Sequence, residues 1–247
     1  MSPPRARLDR LLANLGYGSR REVAALVASR QVTLDGAPLA DPAVRIEVSA
    51  DLARRIRVAG APLDPPAPFT LIMHKPMGLV CSHREPGRRI YDLLPARWRS
   101  RMPALSSVGR LDANTTGLLL ITDDGDLLHR IISPRRHVAK RYHVVLDRPL
   151  AGHEAAVFAE GRLTLDGEAL EPAQLEPLSA TTAWLTITEG RYHQVRRMFS
   201  AVGLEVTGLH RDRIGGLDLP ADLAPGQYRA ATAAEQALVL ARSDAGQ

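Results

Sequence analysis

The sequence has one cysteine, Cys81, few aromatic residues and only two lysines, Lys75 and Lys140. A lone cysteine excludes an internal disulfide and a zinc site built from several thiolates, so we expect a reducing, cytoplasmic environment. No run approaches the about 18 apolar residues that a membrane span requires. The first residues, MSPPRARLDR, lack the apolar stretch of a signal peptide. These absences argue against a disulfide-stabilised secreted scaffold and against a helical membrane protein.

Arginine supplies almost all of the positive charge. The chain of 247 residues carries a formal net charge of +5, and every basic residue other than Lys75 and Lys140 is arginine. A basic excess fits a polyanionic partner, although it also keeps many unrelated proteins in solution. The two lysines either mark positions where a compact ammonium is needed, rather than a planar guanidinium, or reflect chance.

The pattern over residues 5–59 predicts a small separate domain made of two helices and a hairpin. Apolar residues from Leu8 to Leu15 follow helical spacing, and glycines end that helix. Ser19 and Glu22 have the spacing of a capping box that opens a second helix. An Asp35-Gly36 turn inside an alternating apolar pattern then predicts a hairpin.

Basic residues crowd these two predicted helices. A charge run is usually only a solvated face, but so many arginines on one small helical pair favour binding to RNA. The run RLDRLLANLGYGSRREVAALVASRQVTLDG resembles the small RNA-binding module of the S-four type, named after a ribosomal protein. In that family such helices face RNA, which implies RNA contacts from Arg7, Arg10, Arg20, Arg21 and Arg30.

A proline-rich stretch at 60–68 predicts a linker. We place a larger domain at 69–235 and a tail at 236–247. Strand patterns in the larger domain alternate with helical patterns, so we expect an α+β fold in which helices flank a sheet. The strands are predicted at 69–73, 118–122, 141–147 and 183–188.

The segment GRLDANTTGLLLITDDGDL at 109–127 is the most informative part of the chain. It indicates a loop, a buried strand from Leu118 to Ile121 and a turn. Asp112 therefore lies on a loop held by a rigid strand, where functional groups are often found. The alternative is that Asp112 only forms hydrogen bonds within its own loop.

Four motifs of the larger domain resemble those of the pseudouridine synthases of the ribosomal small-subunit type, the RsuA family. Besides GRLDANTTGLLLITDDGDL, they are HKPMG at 74–78, KRY at 140–142 and EGRYHQVRRMF at 189–199. With the N-terminal module, the resemblance covers nearly the whole chain. It implies a mostly antiparallel mixed sheet flanked by helices, and an isomerase that converts a uridine into pseudouridine without a cofactor.

The resemblance also implies the roles of individual residues. Asp112 matches the catalytic aspartate, Tyr142 the tyrosine that stacks on the target uracil, and Arg196 the cation that pairs with the catalytic carboxylate. Leu209 matches an aliphatic residue of the base pocket. The same motif regions predict further substrate contacts from Arg110, Lys140, Arg197 and Lys75.

The residues themselves leave alternatives open. Tyr142 alternates with Val144 and Leu146 on one face of its strand, which plain core packing would also explain. Arg196 falls near the start of a predicted helix, where a cation opposes the helix dipole by about 0.3–1 kcal/mol. A compensating carboxylate is therefore expected: Asp112, or else Glu189.

For the substrate we favour 16S ribosomal RNA in a small-subunit assembly intermediate, bound by a monomer. The tract GRYHQVRRMF resembles the small-subunit enzymes more than those that modify 23S RNA, which remain the main alternative. A non-catalytic ribosome-assembly factor and an RNA glycosylase are further alternatives. The histidines His74, His193 and His210 have no convincing metal-ligand spacing, so we expect no metal.

Overall fold

A computed structural model describes residues 4–241 and divides the chain into two compact units. The first unit comprises the chain through Phe69 together with Tyr91–Ser106, and the second comprises Thr70–Ile90 and the chain from Ser107 onward. Among the described residues, no helix combines the length and apolar character that crossing a membrane would require.

The first unit contains the two predicted helices and the predicted hairpin. Ser19 and Glu22 form the reciprocal capping box at the start of the second helix. Leucines and valines of both helices pack with the hairpin in one buried cluster. The elements are β1 (Arg5–Arg7), α1 (Leu8–Asn14), α2 (Arg20–Ala28), β2 (Val32–Leu34), β3 (Ala37–Pro38), β4 (Arg45–Glu47), α3 (Leu52–Arg55), β5 (Ile56–Val58) and β6 (Ala61–Pro62).

The proline-rich stretch is partly built into the first unit instead of forming a free linker. β6 pairs with β5, and Leu63 and Asp64 are buried. The Asp64 carboxylate accepts a hydrogen bond of 2.7 Å from Arg97, which belongs to the 91–106 segment. Apolar burial and this ion pair therefore outweigh the tendency of proline to leave the chain extended and unpaired.

The second unit is built on one large sheet. The remaining helices and strands are β7 (Thr70–Lys75), β8 (Ser106–Ser107), β9 (Thr116–Thr122), α4 (Gly125–Ile132), β10 (Lys140–Leu146), α5 (Glu154–Ala159), β11 (Thr164–Leu165), β12 (Glu168–Ala169), β13 (Gln174–Pro177), β14 (Thr182–Ile187), α6 (Gln194–Ala201), β15 (Val206–Ile214), β16 (Leu217–Asp218), β17 (Tyr228–Ala230) and α7 (Ala233–Leu240). Pro134–Arg136 forms a short 3₁₀ helix in this unit. Two further 3₁₀ helices are Ala96–Ser100, which belongs to the first unit, and Ile90–Leu93, which spans the boundary between the units.

The main path of the sheet runs in the order β13-β14-β10-β15-β9-β7-β17. Within the described residues, neighbours on this path are antiparallel except β15 and β9, which are parallel. Residues of α4 and α7 share a buried cluster with Ile72, Leu118 and Leu120 of the sheet. The predicted α+β class with a mostly antiparallel mixed sheet is therefore confirmed, and so are all four predicted strands.

The predicted tail begins too early. Thr232 and Glu235 form a second capping box, which starts α7 and carries it through Leu240. Val239 is buried in the sheet's apolar cluster, so burial holds this helix in place. The rest of the predicted tail, from residue 242, lies outside the described residues.

The parallel contact between β9 and β15 depends on Gly117. This glycine has φ +113°, and a Cβ at its position would lie 2.1 Å from the carbonyl oxygen of Arg211. Both the backbone angle and the close approach therefore exclude a side chain. This contact joins the strand that follows Asp112 to the strand that carries Leu209.

Gly117→Ala is expected to lower the free energy of unfolding by at least about 2 kcal/mol, because strain and overpacking add. Gly125→Ala is the matched control, since a Cβ there meets open space at the start of a helix. It should change stability by no more than about 1 kcal/mol. Urea unfolding of both variants tests this, and equal stabilities would contradict the steric explanation.

Candidate active site

Hydrogen bonds from the buried side chain of Lys75 fix the loop that carries Asp112. The Lys75 ammonium donates hydrogen bonds to the carbonyl oxygens of Thr115 at 2.8 Å, Asp112 at 2.9 Å and Pro76 at 3.2 Å, with a longer one to Ala113 at 3.4 Å. The side chain is fully buried, and burial lowers the pKa of its ammonium below the usual value. A compact ammonium can donate in several directions to carbonyls that converge on it, which a planar guanidinium could not match.

Direct substrate contact by Lys75, as predicted from the motif, does not agree with this structure. Its 0% exposure leaves the ammonium no route to a ligand. The residue instead fixes the backbone from which the Asp112 side chain projects. The interpretation of the two lysines as sites for a compact ammonium fits Lys75 well.

The thiol of Cys81 also contacts the backbone of the loop that carries Asp112. Its sulfur lies 3.3 Å from the Leu111 carbonyl oxygen and accepts a hydrogen bond of 3.4 Å from the Leu111 amide. Burial raises the pKa of the Cys81 thiol. A buried, protonated thiol is a poor nucleophile, so Cys81 has a structural role here.

Arg196 does not pair with the Asp112 carboxylate, which corrects the sequence prediction. Its guanidinium donates instead to the Val206 carbonyl oxygen at 2.7 Å and to the Asn114 carbonyl oxygen at 3.0 Å. The competing partner, Glu189, is already engaged by Gln194 at 2.7 Å and by Arg191. Carbonyl dipoles thus compensate the cation at the start of α6, and Arg196 ties the Asp112 loop to β15.

Tyr142 lies on the predicted face of β10, buried beside Val144. On the neighbouring strand, Arg211 is opposite Tyr142 and Leu209 is opposite Val144, so all four side chains share one face of the sheet. The structure therefore places Tyr142 and Leu209 on the same face of the sheet.

Arg211 is a buried cation that the sequence analysis did not single out. Its side chain donates to the Leu118 carbonyl oxygen at 2.9 Å and to the Tyr142 hydroxyl at 3.4 Å. Its second terminal nitrogen is buried and has no hydrogen-bond partner among the described residues. A periodicity reading of β15 could have found it, because an arginine at a core-facing position of a strand is unusual.

The remaining predicted substrate contacts are half-buried or exposed. Lys140 bonds the Val138 carbonyl oxygen at 2.9 Å, and burial, followed by the nearby Arg211, lowers the pKa of its ammonium to about 8. Arg110 lies 3.3 Å from Glu85, and Arg197 pairs with Asp166 at 2.8 Å. Those two carboxylates would compete with RNA phosphates for the guanidinium groups.

The basic residues of the N-terminal unit fall into two groups. Arg7 and Arg20 both bind the carboxylate of buried Asp9, and their hydrogen bonds hold its pKa well below the usual range. The other three are exposed and form no ion pair within the described part of the chain: Arg10, Arg21 and Arg30. The second group is free to meet phosphate.

His193 is a neighbour of the Asp112 carboxylate that the sequence did not indicate. Its Nε2 atom lies 3.3 Å from Oδ1 of Asp112. The residue stands inside the motif EGRYHQVRRMF, where the sequence gives it no role beyond that of a metal ligand, which the histidine spacing argues against. Among the described residues, no group of three or more histidine, cysteine, aspartate or glutamate side chains could hold a metal ion.

The second unit thus presents one partly exposed carboxylate on a loop whose backbone carbonyls are bonded by two cations, and it carries Tyr142 and Leu209 on one face of its sheet. The first unit carries two short helices with exposed arginines. This arrangement is that of an enzyme acting on a nucleotide of a larger RNA. Comparison with known proteins agrees. Residues 70–201 match the family described as RNA pseudouridylate synthase, and residues 6–52 match the S4 domain.

Full-length relatives give the same result. The chain is 43% identical over 239 residues, covering 95% of this chain and 100% of the relative, to ribosomal small subunit pseudouridine synthase A of Escherichia coli strain K12. It is 41% identical to an uncharacterized RNA pseudouridine synthase of Bacillus subtilis, covering 93% of this chain and 96% of the relative. A crystal structure of a pseudouridylate synthase has a TM-score of 0.65 and 36% identity, covering 94% of this chain and 99% of that chain.

The chain belongs to the RNA pseudouridylate synthase family. It is therefore an isomerase with RNA as its substrate, and it carries an S4 domain at its N-terminal end. The predicted class of enzyme and the predicted RNA-binding module are both confirmed.

Proposed function

We propose that this enzyme converts one uridine of 16S ribosomal RNA into pseudouridine, with Asp112 as the essential carboxylate. The observation that carries the proposal is the Asp112 loop, which Lys75 and Arg196 fix through its backbone carbonyls while the carboxylate stays partly exposed. Relatives in Escherichia coli and Yersinia pestis, matched along almost their whole length, are named for the small ribosomal subunit.

The reaction breaks the bond between ribose C1′ and uracil N1 and forms a bond between C1′ and uracil C5. The C5 proton leaves and N1 gains a proton, so no atoms are added and no redox partner is needed. The Asp112 carboxylate acts at the ribose, either by attack on C1′ or by removing the C2′ proton to give a glycal. Both routes require access of the carboxylate to the ribose, which its partly exposed position on a loop provides.

The target base has to leave its stack to reach Asp112, which costs a few kcal/mol. Tyr142 is proposed to stack on the extruded uracil and to offset about 1–3 kcal/mol of this cost. Leu209 shares the sheet face with Tyr142 and supplies apolar contact to the base. Arg211 donates a hydrogen bond to the Tyr142 hydroxyl, which orients the tyrosine ring before the uracil binds.

Phosphate contacts are proposed to come from the exposed arginines of the N-terminal unit and from Lys140, Arg110 and Arg197. Arg7 and Arg20 contribute less to them, because Asp9 already compensates their charge. We further propose that the enzyme acts in the cytoplasm, as a monomer, on an assembly intermediate of the small subunit.

The triple substitution of Arg10, Arg21 and Arg30 by Gln should weaken RNA binding and flatten its dependence on salt. Three lost phosphate contacts reduce the slope of log K against log salt by about 2 on single-stranded RNA. Arg55→Gln is the control, because Asp35 already pairs with that exposed arginine. Filter binding from low to high salt measures both slopes, and an unchanged slope in the triple variant would place the RNA elsewhere.

Chemical mapping of pseudouridine in cells with and without the gene tests the proposed substrate. We expect one 16S position to lose its pseudouridine and to regain it when the gene is restored. Loss of a 23S position would keep the chemistry and overturn the choice of RNA. No change at any position would favour a non-catalytic assembly factor, and release of free uracil in vitro would indicate a glycosylase.

A further inference from the structure

In the described part of the chain, the Asp112 carboxylate makes one direct side-chain contact, and its partner is a histidine. His193 Nε2 lies 3.3 Å from Asp112 Oδ1, and the two side chains are 40% and 30% exposed. The two nearby cations, Lys75 and Arg196, bond the carbonyl groups of the loop instead. The orientation of the carboxylate itself is therefore left to His193.

The local backbone holds His193 in a specific and strained position. It immediately precedes α6 with φ 51° and ψ 31°, the left-handed region that a residue with a side chain seldom adopts. Such a conformation costs on the order of 1–3 kcal/mol and persists only where the surroundings enforce it. Here the Gln194 side chain enforces it, since it accepts from the Arg191 amide at 2.9 Å and donates to Glu189 at 2.7 Å.

Aromatic stacking also restrains the imidazole ring of His193. Tyr192 stacks on it with ring centroids 3.8 Å apart and an angle of 18° between the rings. The turn before α6 thus fixes the backbone of His193, and the stack restrains its ring. Because both its backbone and its ring are restrained, His193 can in turn restrain the Asp112 carboxylate, which a freely rotating histidine could not do.

We propose that His193 is a positioning residue for Asp112. In the substrate complex its Nε2–H donates to Oδ1, which stops rotation of the carboxyl group and leaves Oδ2 facing the target ribose. Contacts of this kind are often long in a free enzyme and tighten when substrate binds. The inference rests on the proposed function, since it assigns to His193 an effect exerted only through Asp112.

Two substitutions separate the hydrogen bond from the stack. His193→Phe keeps an aromatic ring against Tyr192 but has no donor, whereas His193→Gln keeps an N–H at similar reach. Loose positioning of a reacting group can cost about 100-fold in rate. We therefore expect the single-turnover rate at saturating RNA to fall about 10- to 100-fold in the Phe variant and to recover most of that loss in the Gln variant. RNA affinity should stay within about twofold in both, because phosphate contacts dominate it.

A spectroscopic measurement supports the kinetic one and does not depend on how well the variants fold. In the unsubstituted enzyme bound to RNA, ¹⁵N spectra should place the proton of neutral His193 on Nε2, or show both nitrogens protonated. A neutral ring with its proton on Nδ1 would overturn the inference, because Nε2 would then have no hydrogen to donate.

The outcomes also distinguish this inference from the proposed function. Equal rates for the Phe and Gln variants, whether normal or reduced, would overturn the role of the hydrogen bond. Asp112→Asn is assayed beside them. If Asp112→Asn forms pseudouridine at a normal rate, the proposed role of Asp112 is wrong. If Asp112→Asn is inactive while His193→Phe has a normal rate, only the positioning role of His193 is wrong.

Discussion

Asp112→Asn should lower the rate of pseudouridine formation by at least about 1,000-fold, because the amide cannot act as a nucleophile or as a base at ribose. The substitution keeps the size of the side chain, and Lys75 still bonds the backbone of the loop. Stability and RNA affinity should therefore remain close to those of the unsubstituted enzyme. Single-turnover assays with saturating RNA, together with filter binding, measure the two effects separately.

Asp126→Asn is the matched control for the loss of one negative charge. Asp126 is exposed in the first turn of α4 and forms no ion pair with any other residue of the described chain. Its variant should be fully active. Product formation by Asp112→Asn above a few per cent of the control rate would contradict the assignment of Asp112 as the essential carboxylate.

Lys75→Met should have the second largest effect, although Lys75 never reaches the substrate. Methionine fills a similar volume, but it removes the ammonium donor from the loop carbonyls, at about 1–3 kcal/mol for each group left unsatisfied. The Asp112 carbonyl keeps a bond from the Thr115 amide, whereas the buried bond to the Thr115 carbonyl is lost. Part of this loss is offset, since a buried ammonium no longer has to be desolvated. We expect a net loss of stability of about 2–4 kcal/mol.

The loop that loses its anchor also misplaces Asp112, so the catalytic rate of Lys75→Met should fall by about 100-fold even where the protein is folded. The other lysine provides the contrast. Lys140 bonds a single carbonyl group and is half-buried, so Lys140→Met should affect RNA affinity more than the rate of the bound complex. Denaturant unfolding and single-turnover rates test both. A normal rate in folded Lys75→Met would mean that the loop keeps its position without the ammonium.

Local features of the fold could be predicted from the sequence because their causes are local. The Ser19–Glu22 capping box and the Asp35-Gly36 turn each involve residues within three positions of one another in the chain. The alternation of β10 also fixed which face Tyr142 would occupy. In these places the pattern alone determines the structure, and the prediction agreed with it.

Contacts between distant segments could not be predicted in this way. No periodicity links Lys75 to carbonyl groups in a loop some forty residues later, or Arg97 to Asp64. The predicted Arg196–Asp112 pair was wrong for the same reason, because the reach of an arginine depends on where β15 and the loop place their carbonyls. His193 was missed because its backbone angle, which aims the ring, has no signature in the sequence.

The discontinuous first unit has a consequence for the order in which the nascent chain can fold. When the chain has been synthesised as far as Phe69, Arg97 has not yet been made. Buried Asp64 therefore lacks its ion-pair partner, and Gly16 lacks the Arg97 carbonyl group against which it packs. Domains generally fold as units while the ribosome extends the chain. The N-terminal unit therefore cannot be completed until about residue 106 has emerged, by which time the first strand of the second unit, β7, has already been made. A shortened gene that stops at the proline-rich stretch would encode an unfinished domain.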